Sequence, residues 1–421
     1  MRRFVRAVFA NRRAAVAGGA GAAVLAVLLA TQPGGSVAAQ PPAPPAGPQF
    51  GDPLPGLTQE EHALFVEGKT AFEEVEGAAD GVGPVFNGVS CAECHASPVT
   101  GGGSDILSTR IGAVVNGRFD PLERFGGPTI QTQGVVGKNG FRFRGEVVPK
   151  QATVVARRRS PPVFGFGLVE AVPDIDLVLL SVVQHLATPE TAGRPNVVRN
   201  LRTGFPAVGR FGWKAQIATL TDFAGDAYKD EMGITTPGWF RSGDGRLIDD
   251  ENAPQGNAGL LKFNPVASPN EPDIEDVILF RNFMRLLAPP PRGPVTLTVR
   301  AGEKVFHSIG CANCHVPMLE TGSNAVAALD RKEFHPYSDF LLHDMGALGD
   351  GIEQGTGRGP DMRTAPLWGL RELPFFLHDG RAATVEDAIL QHRGQGQGSR
   401  DEFKALPRRQ KDTLLAFLYS L

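Results

Sequence analysis

Two stretches decide how this chain is read: Cys91-Ala92-Glu93-Cys94-His95 and Cys311-Ala312-Asn313-Cys314-His315. Each reads C-x-x-C-H. Two thiols three positions apart can add to the two vinyl groups of one porphyrin, and the adjacent His then faces its iron. The chain has four Cys, and the two motifs use all of them. Zinc ribbons keep their halves roughly 15–20 residues apart, whereas these motifs lie in opposite halves of 421 residues. A thioredoxin-like pair, or two structural disulfides, would not require a His after each second Cys. The motifs therefore imply two covalently bound haem c groups. One is expected on Cys91, Cys94 and His95, the other on Cys311, Cys314 and His315, with His95 and His315 as iron ligands.

Residues 1–39 read as an export signal. Arg2, Arg3, Arg6, Arg12 and Arg13 form a basic start without acids, and Ala14 to Ala30 is an unbroken run of apolar and small residues. Val37-Ala38-Ala39 then offers small residues before Gln40, as a cleavage site does. The alternative is an uncleaved membrane anchor, although the Ala- and Gly-rich core is near the lower length limit for a spanning helix. Either way the rest of the chain is expected outside the cytoplasm, periplasmic or exported. Loss of the five Arg takes the formal charge from −3 to −8, which argues against nucleic acid as a partner. The remainder is long enough for two domains. The full sequence's hydrophobic share of 42% argues against wholesale disorder, and its 52 Gly and 34 Pro point to many ordered loops.

Residues 40–55, rich in Pro and Ala, read as an extended linker. A helix is expected next. Thr58 and Glu61 can form a capping box, and Leu64, Gly68, Ala71, Phe72 and Val75 fall at helical spacing. The second motif has a similar approach: Val299, Gly302, Val305, Phe306 and Ile309 mark a helix ending at Gly310. Gly68-x-x-x-Phe72 resembles Gly302-x-x-x-Phe306, a weak internal repeat in which the Gly would permit close approach of another helix. The first unit carries the longer connection between helix and motif. Further helices are expected at 174–186, at 272–287 and after Thr384, where Val385, Ala388, Ile389 and His392 share a side. A closing helix carries Leu414, Leu415, Phe417, Leu418 and Leu421. Gly101-Gly102-Gly103, Gly126-Gly127 and Arg157-Arg158-Arg159-Ser160-Pro161-Pro162 read as turns or loops, and a short two-stranded ribbon is expected around Phe141 to Val148.

The expected fold is mainly α, with two cytochrome c-like haem domains and long ordered loops. The N-terminal domain spans 56–290 and holds a large insertion; the C-terminal domain spans 295–421. The extra length of the first is expected to wrap over the haems.

At this point the chain resembles the bacterial di-haem oxidoreductases, relatives of di-haem cytochrome c peroxidase and of the di-haem enzyme that matures methylamine dehydrogenase. The resemblance runs over nearly all of residues 50–421. Its marks are Phe86-Asn87-Gly88, Gly165-Phe166-Gly167-Leu168-Val169-Glu170-Ala171, Gly209-Arg210-Phe211-Gly212-Trp213-Lys214, Leu342-His343-Asp344-Met345-Gly346, Arg363-Thr364-Ala365-Pro366-Leu367-Trp368-Gly369 and Leu377-His378-Asp379-Gly380-Arg381. The last two resemble a peroxidase pattern in which F-x-T-P-x-L-R-N precedes Y-x-H-D-G.

What the resemblance implies is a division of labour. The C-terminal haem would be six-coordinate and would take up an electron; the N-terminal haem would meet the oxidant. Trp213 is the aromatic residue that could help electrons pass, with a packed core Trp as the bland alternative. Many relatives place a Met ligand before the His-Asp-Gly element, but Leu377 stands there. That departure makes Met345 the first choice for the sixth ligand, ahead of His343 and His378, with Met318 and Met362 also near the motifs. No His occurs between His95 and His185, so the distal His of the peroxidases is missing. Peroxide cleavage needs a group that moves a proton between the two oxygens. Glu170 is the candidate for that role, and Gln131 the candidate for orienting the peroxide. The loop 188–196 lacks the acidic cluster of many relatives, which leaves calcium doubtful.

The sequence thus reads as an exported di-haem c oxidoreductase reducing hydrogen peroxide or another small oxidant. Its electrons would come from a small donor protein, a cytochrome c or a cupredoxin. Two alternatives stay open: a di-haem electron carrier without substrate, and an oxidase or oxygenase acting on an organic or protein substrate. Membrane contact is expected only if the N-terminal segment is retained.

Overall fold

The computed structural model describes residues 47–236, 255, 258–265 and 275–421. The export segment at 1–39 and residues 40–46 of the linker lie outside the described residues. Helix α1 (Gln59–Glu73) starts at its capping box. Thr58 accepts the Glu61 N–H at 3.1 Å, and the Glu61 carboxylate accepts the Thr58 N–H at 2.8 Å. These bonds satisfy two amides that a helix start leaves open. The helix buries Phe65, Gly68, Ala71 and Phe72, while Leu64 and Val75 of the expected stripe face solvent.

In chain order there follow α2 (Cys91–Cys94), α3 (Phe166–Glu170), α4 (Asp174–Ala187), α5 (Leu220–Met232) and α6 (Glu275–Leu286), then α7 (Leu297–Ser308), α8 (Val385–Leu390), α9 (Gln397–Ala405) and α10 (Arg408–Leu418). Residues 272–274 of the expected sixth helix lie outside the described residues. Helix α1 packs on α6, and α7 packs on α10. Both crossings turn on the glycine of the repeat. A Cβ at Gly68 would strike the Leu279 carbonyl and come within 2.8 Å of the Phe283 nitrogen; one at Gly302 would strike the Thr413 carbonyl. Only a residue without a Cβ lets these backbones touch. Above each glycine sits its phenylalanine, Phe72 against Phe283 (4.8 Å between centroids) and Phe306 against Phe417 (5.2 Å). Around Phe306 a core gathers Phe403, Leu414, Phe417, Leu418 and Leu421, the closing-helix face expected from sequence.

The expectation of a mainly α fold is overturned. Among the described residues twelve strands in five small sheets accompany the ten α-helices. The largest sheet is built on Leu107–Val115, which pairs antiparallel with Val154–Arg159 from Leu107↔Arg159 to Gly112↔Val154, and also with Arg118–Asp120 and Thr129–Ile130. Two-residue strands close other loops, as with Val85–Phe86 on Gln133–Gly134. Such strands are too short to show a period of two. The arginine run at 157–159 ends a strand instead of marking a loop, because its charges are met inside the protein. Arg158 donates to Asp350 (Nε, 2.7 Å), and Arg159 donates to the Ser104 carbonyl (Nε, 3.0 Å). No strand forms at 141–148, which is held as extended loop, with a lone bridge between Val136 and Arg142.

Residues 47–421 make one compact unit. No helix among the described residues is long and apolar enough to cross a membrane.

Candidate functional site

Each C-x-x-C-H stretch folds as a single tight turn. Ser90 caps the first, its hydroxyl accepting the Glu93 N–H at 3.2 Å. The second begins at Gly310, whose φ of +84° ends α7 and turns the chain into Cys311. In both turns the His N–H reaches the carbonyl of the first Cys: His95 to Cys91 at 3.1 Å and His315 to Cys311 at 3.0 Å. That bond gathers two thiols and one imidazole at one place. None of the four Cys is in a disulfide. Burial pushes the Cys91 thiol up and the Cys94 and Cys311 thiols to about 12, so these three are neutral thiols at ordinary pH.

The two imidazoles are held alike. His95 Nδ1 is 3.0 Å from the Gly102 carbonyl, and His315 Nδ1 is 2.9 Å from the Tyr337 carbonyl. A carbonyl only accepts, so Nδ1 of His315 carries the proton and its Nε2 keeps its lone pair, whereas the His95 ring meets a second carbonyl, that of Pro161. Burial holds both rings below their usual value, His315 down to about 4 with His392 contributing next. Each ring packs near the phenylalanine of the repeat: Phe72 lies 5.9 Å from His95, and Phe306 lies 6.5 Å from His315.

Around the second turn lies an apolar cavity lined by Cys311, Cys314, His315, Phe306, Leu370 and Phe376, among others. His343, Met345, Met362, His378 and His392 also face it, and Met318 does not line it. Both nitrogens of buried His343 are engaged, Nε2 with Asp339 at 2.9 Å and Nδ1 with the Cys314 sulfur at 3.4 Å. Burial alone would lower His343, but Asp339 overrides it and holds the value well above the usual one. His378 packs edge-on to Trp213, 6.3 Å between centroids. His392 presents a different picture. Its Nδ1 lies 2.9 Å from the Ala388 carbonyl one helical turn back, which leaves Nε2 with a lone pair. Burial keeps the ring neutral.

A model of the family described as "Di-haem oxidoreductase, putative peroxidase" matches residues 138–421. The chain belongs to this di-haem oxidoreductase family. The matched stretch contains the second motif; the first precedes it. No curated protein matches the sequence. Among solved structures, this di-haem oxidoreductase is loosely similar to the hydrazine synthase of Kuenenia stuttgartiensis (12% identity, TM-score 0.39, 93% of this chain and 100% of that one). It is similar in the same way to a MauG-like protein associated with microbial copper homeostasis (15%, 0.37, 91% and 95%). A third likeness is to the di-haem peroxidase BthA of Burkholderia thailandensis (16%, 0.31, 70% and 94%).

The cavity of this di-haem oxidoreductase fits a haem on its own chemistry. It sets two thiols and a neutral imidazole at one wall of an apolar space. It also exposes the buried Arg363, whose Nη2 has no hydrogen-bond partner. Burial lowers Arg363 to about 10. A buried guanidinium with a spare donor suits an anionic group, and haem carries two carboxylates.

The other expected site residues are placed apart. Trp213 lines the C-terminal cavity, and its indole N–H donates to the Arg159 carbonyl at 2.8 Å. The strip from Arg159 to Pro162 lines the same cavity and reaches the first motif, with Ser160 beside Cys94 and the Pro161 backbone beside His95. Trp213 thus stands next to the segment between the two turns. Gln131 is fully buried. Its amide nitrogen donates to the Lys229 and Asp230 carbonyls at 3.0 and 2.9 Å, and its amide oxygen has no partner. Glu170 lines a separate polar cleft with Arg202, Arg281 and Arg285, and none of the motif residues lines that cleft. Its carboxylate accepts the Leu220 N–H at 2.8 Å.

Sequence reasoning missed two groups. His392 was read only as part of a helix face; the usable signal was a His at the end of a capped helix following the His378-Asp379-Gly380 element. Glu231 was not read at all. It raises the Cys94 thiol as the strongest charge near it, and the Asn87 amide donates to it at 2.9 Å. Burial pushes Glu231 itself up.

Proposed function

We propose that this chain is an exported di-haem c oxidoreductase that reduces hydrogen peroxide, or another small oxidant, at its N-terminal motif with electrons passed from its C-terminal one. In this reading residues 56–290 and 295–421 each serve one haem, Cys91, Cys94 and His95 holding the first and Cys311, Cys314 and His315 the second. A bound haem supplies an iron that changes oxidation state and, where a coordination position is open, meets a small molecule.

The observation that carries the proposal is His392. It is a half-buried imidazole, held below its usual value by its surroundings, with Nδ1 on a backbone carbonyl in the cavity of Cys311, Cys314 and His315. We assign it as the second ligand of the C-terminal iron, with Met345 of the same cavity as the alternative. Carboxylates surround the first turn: Glu231 and Glu93 act on Cys94, and Glu76 and Asp276 act on Cys91. The two sites then differ in kind, one closed by side chains and one left for an oxidant.

Glu170, the proton carrier expected from sequence, belongs to another cleft, so the proton role passes to Glu231. Burial favours its protonated form, and the Asn87 amide holds its Oε2. Gln131, whose backbone N–H donates to Glu146 at 3.0 Å, keeps a free amide oxygen for orienting a polar molecule. Trp213 is assigned as the relay between the turns, and a small cytochrome c or cupredoxin as the electron donor.

The test is peroxide consumption by the fully loaded protein supplied with a reduced donor. Turnover is expected, and Glu231→Gln should slow it by about 10²–10⁴ with haem content unchanged. A loaded protein that passes electrons but consumes no peroxide would contradict the proposal.

A further inference from the structure

Arg363 ends the strand Asp361–Arg363, which pairs antiparallel with Leu342–Asp344, and only 3% of the residue is exposed. Two of its three guanidinium nitrogens are held by backbone. Nε donates to the Gly212 carbonyl at 2.7 Å, and Nη1 donates to the Thr364 carbonyl at 3.0 Å. Its Cζ lies 5.5 Å from the centroid of the Phe340 ring. Nη2 is buried and has no hydrogen-bond partner. A buried donor left open is costly and rare. Burial disfavours the charge on Arg363, and Asp339 favours it. The Asp339 carboxylate, however, is taken up elsewhere: by His343 at 2.9 Å, by the Gln184 amide at 2.8 Å and by the Leu341 N–H at 3.0 Å. Arg363 and Thr364 line the cavity of Cys311, Cys314 and His315. The open donor thus belongs to a fixed, buried cation on the wall of that cavity.

We propose that Arg363 grips a propionate carboxylate of the C-terminal haem through Nη2. This rests on the reading of Cys311, Cys314 and His315 as a haem attachment. A guanidinium nitrogen meets a carboxylate in a short, charge-assisted bond, and Arg keeps its charge where a buried Lys readily loses it. The anchor reaches beyond the haem. The Arg363 backbone N–H donates to the Trp213 carbonyl at 2.9 Å, while Nε holds the Gly212 carbonyl. One residue therefore holds both the haem carboxylate and the Gly212-Trp213 backbone, and it fixes where the indole stands against that haem. The same cation acts on the iron. A fixed positive charge beside a haem favours the reduced state, which carries one more electron, so Arg363 holds the potential of this haem up.

The test is redox-difference infrared spectroscopy of the purified protein with both haems, made in cells fed δ-aminolevulinate bearing heavy carbon in its carboxyl group. That label marks the haem propionates. A labelled carboxylate band is expected to respond to reduction of the C-terminal haem and to move in Arg363→Gln. The midpoint potential of that haem should fall in the same variant, and that of the N-terminal haem should stay. An Arg363 needed only to hold Gly212 and Thr364 would lower the thermal midpoint and move neither the labelled band nor the potential. If Arg363→Gln fails to fold by circular dichroism, Arg363→Lys serves in its place; it keeps the charge but loses the fork, so the band should move while the potential holds. An unmoved labelled band in a fully loaded variant would overturn the anchor. So would an affected band that ignores the label, which would belong to a free anion. A chain whose intact mass shows no haem on its second turn would overturn the haem reading and the anchor with it, and the mass separates that failure from the others. None of these readouts needs peroxide turnover.

Discussion

The two C-x-x-C-H turns share their supports and differ in what faces them. Each has a helix with Gly and Phe four apart, a second helix touching at the Gly, a Phe on the His, and a backbone carbonyl on Nδ1. These are the parts that fix a turn and hand over a neutral imidazole. The surroundings diverge. The C-terminal cavity gathers His343, Met345, Met362, His378 and His392, whereas the charges acting on the N-terminal thiols are carboxylates. The difference teaches that the repeat fixes each turn and its imidazole, while the long inserted loops and the C-terminal helices set what faces each turn.

The largest effect should come from breaking one turn at a time. Cys91→Ala with Cys94→Ala, or Cys311→Ala with Cys314→Ala, should each leave one covalent haem in place of two, read by intact mass after acid-acetone extraction. Equal loss of both groups from either pair would show that the turns are not independent. Next in size is the helix crossing. Gly302→Val and Gly68→Val should each lower the thermal midpoint through overpacking of about 1–3 kcal/mol. The loss should be greater at Gly302, where the added Cβ is driven deeper into a carbonyl. Equal midpoints would mean that the two crossings are not equally rigid. A third comparison stays within one cavity: His392→Ala should turn the C-terminal iron high-spin, and Met345→Ala should leave it low-spin, both read by optical spectroscopy. The reverse result would restore Met345 as ligand.

The smallest effect concerns the acidic surroundings of the first turn. Burial, with Asp230 adding to it, pushes Asp226 up to about 7, while Lys229 and Arg110 hold Asp230 at about 2 despite its burial. The folded state therefore keeps a proton on Asp226 that the unfolded chain has released above its ordinary value of 3.8. Its contribution to stability falls as pH rises from there toward 7. Asp226→Asn should raise the thermal midpoint by a few degrees at pH 8, and the gain should vanish below pH 4. A gain that does not depend on pH would mean that the carboxyl is not the source.

How far the molecule was legible depends on range. The capping box at Thr58, the Gly68 and Gly302 crossings and the closing-helix face at Leu414 to Leu421 are local patterns, and all were readable. The strands were not. Leu107–Val115 is defined by partners as far away as Arg159, and the two-residue strands carry no pattern of their own. Arg158 looked like loop chemistry because its partner, Asp350, is remote in sequence. The site divides along the same line. The motif residues announce themselves, but Glu170 was drawn to the motifs by a Gly-rich loop that in fact delivers it to an arginine cleft. His392 was passed over because the chain between it and His315 gives no sign that the two end in one cavity.

The most direct measurement is the electron spin resonance spectrum of the oxidised protein with both haems, before and after cyanide. One low-spin signal that ignores cyanide and one high-spin signal that cyanide converts is the expected result. Two low-spin signals, both indifferent to cyanide in every redox state, would make this an electron carrier and contradict the assignment of one closed and one open site.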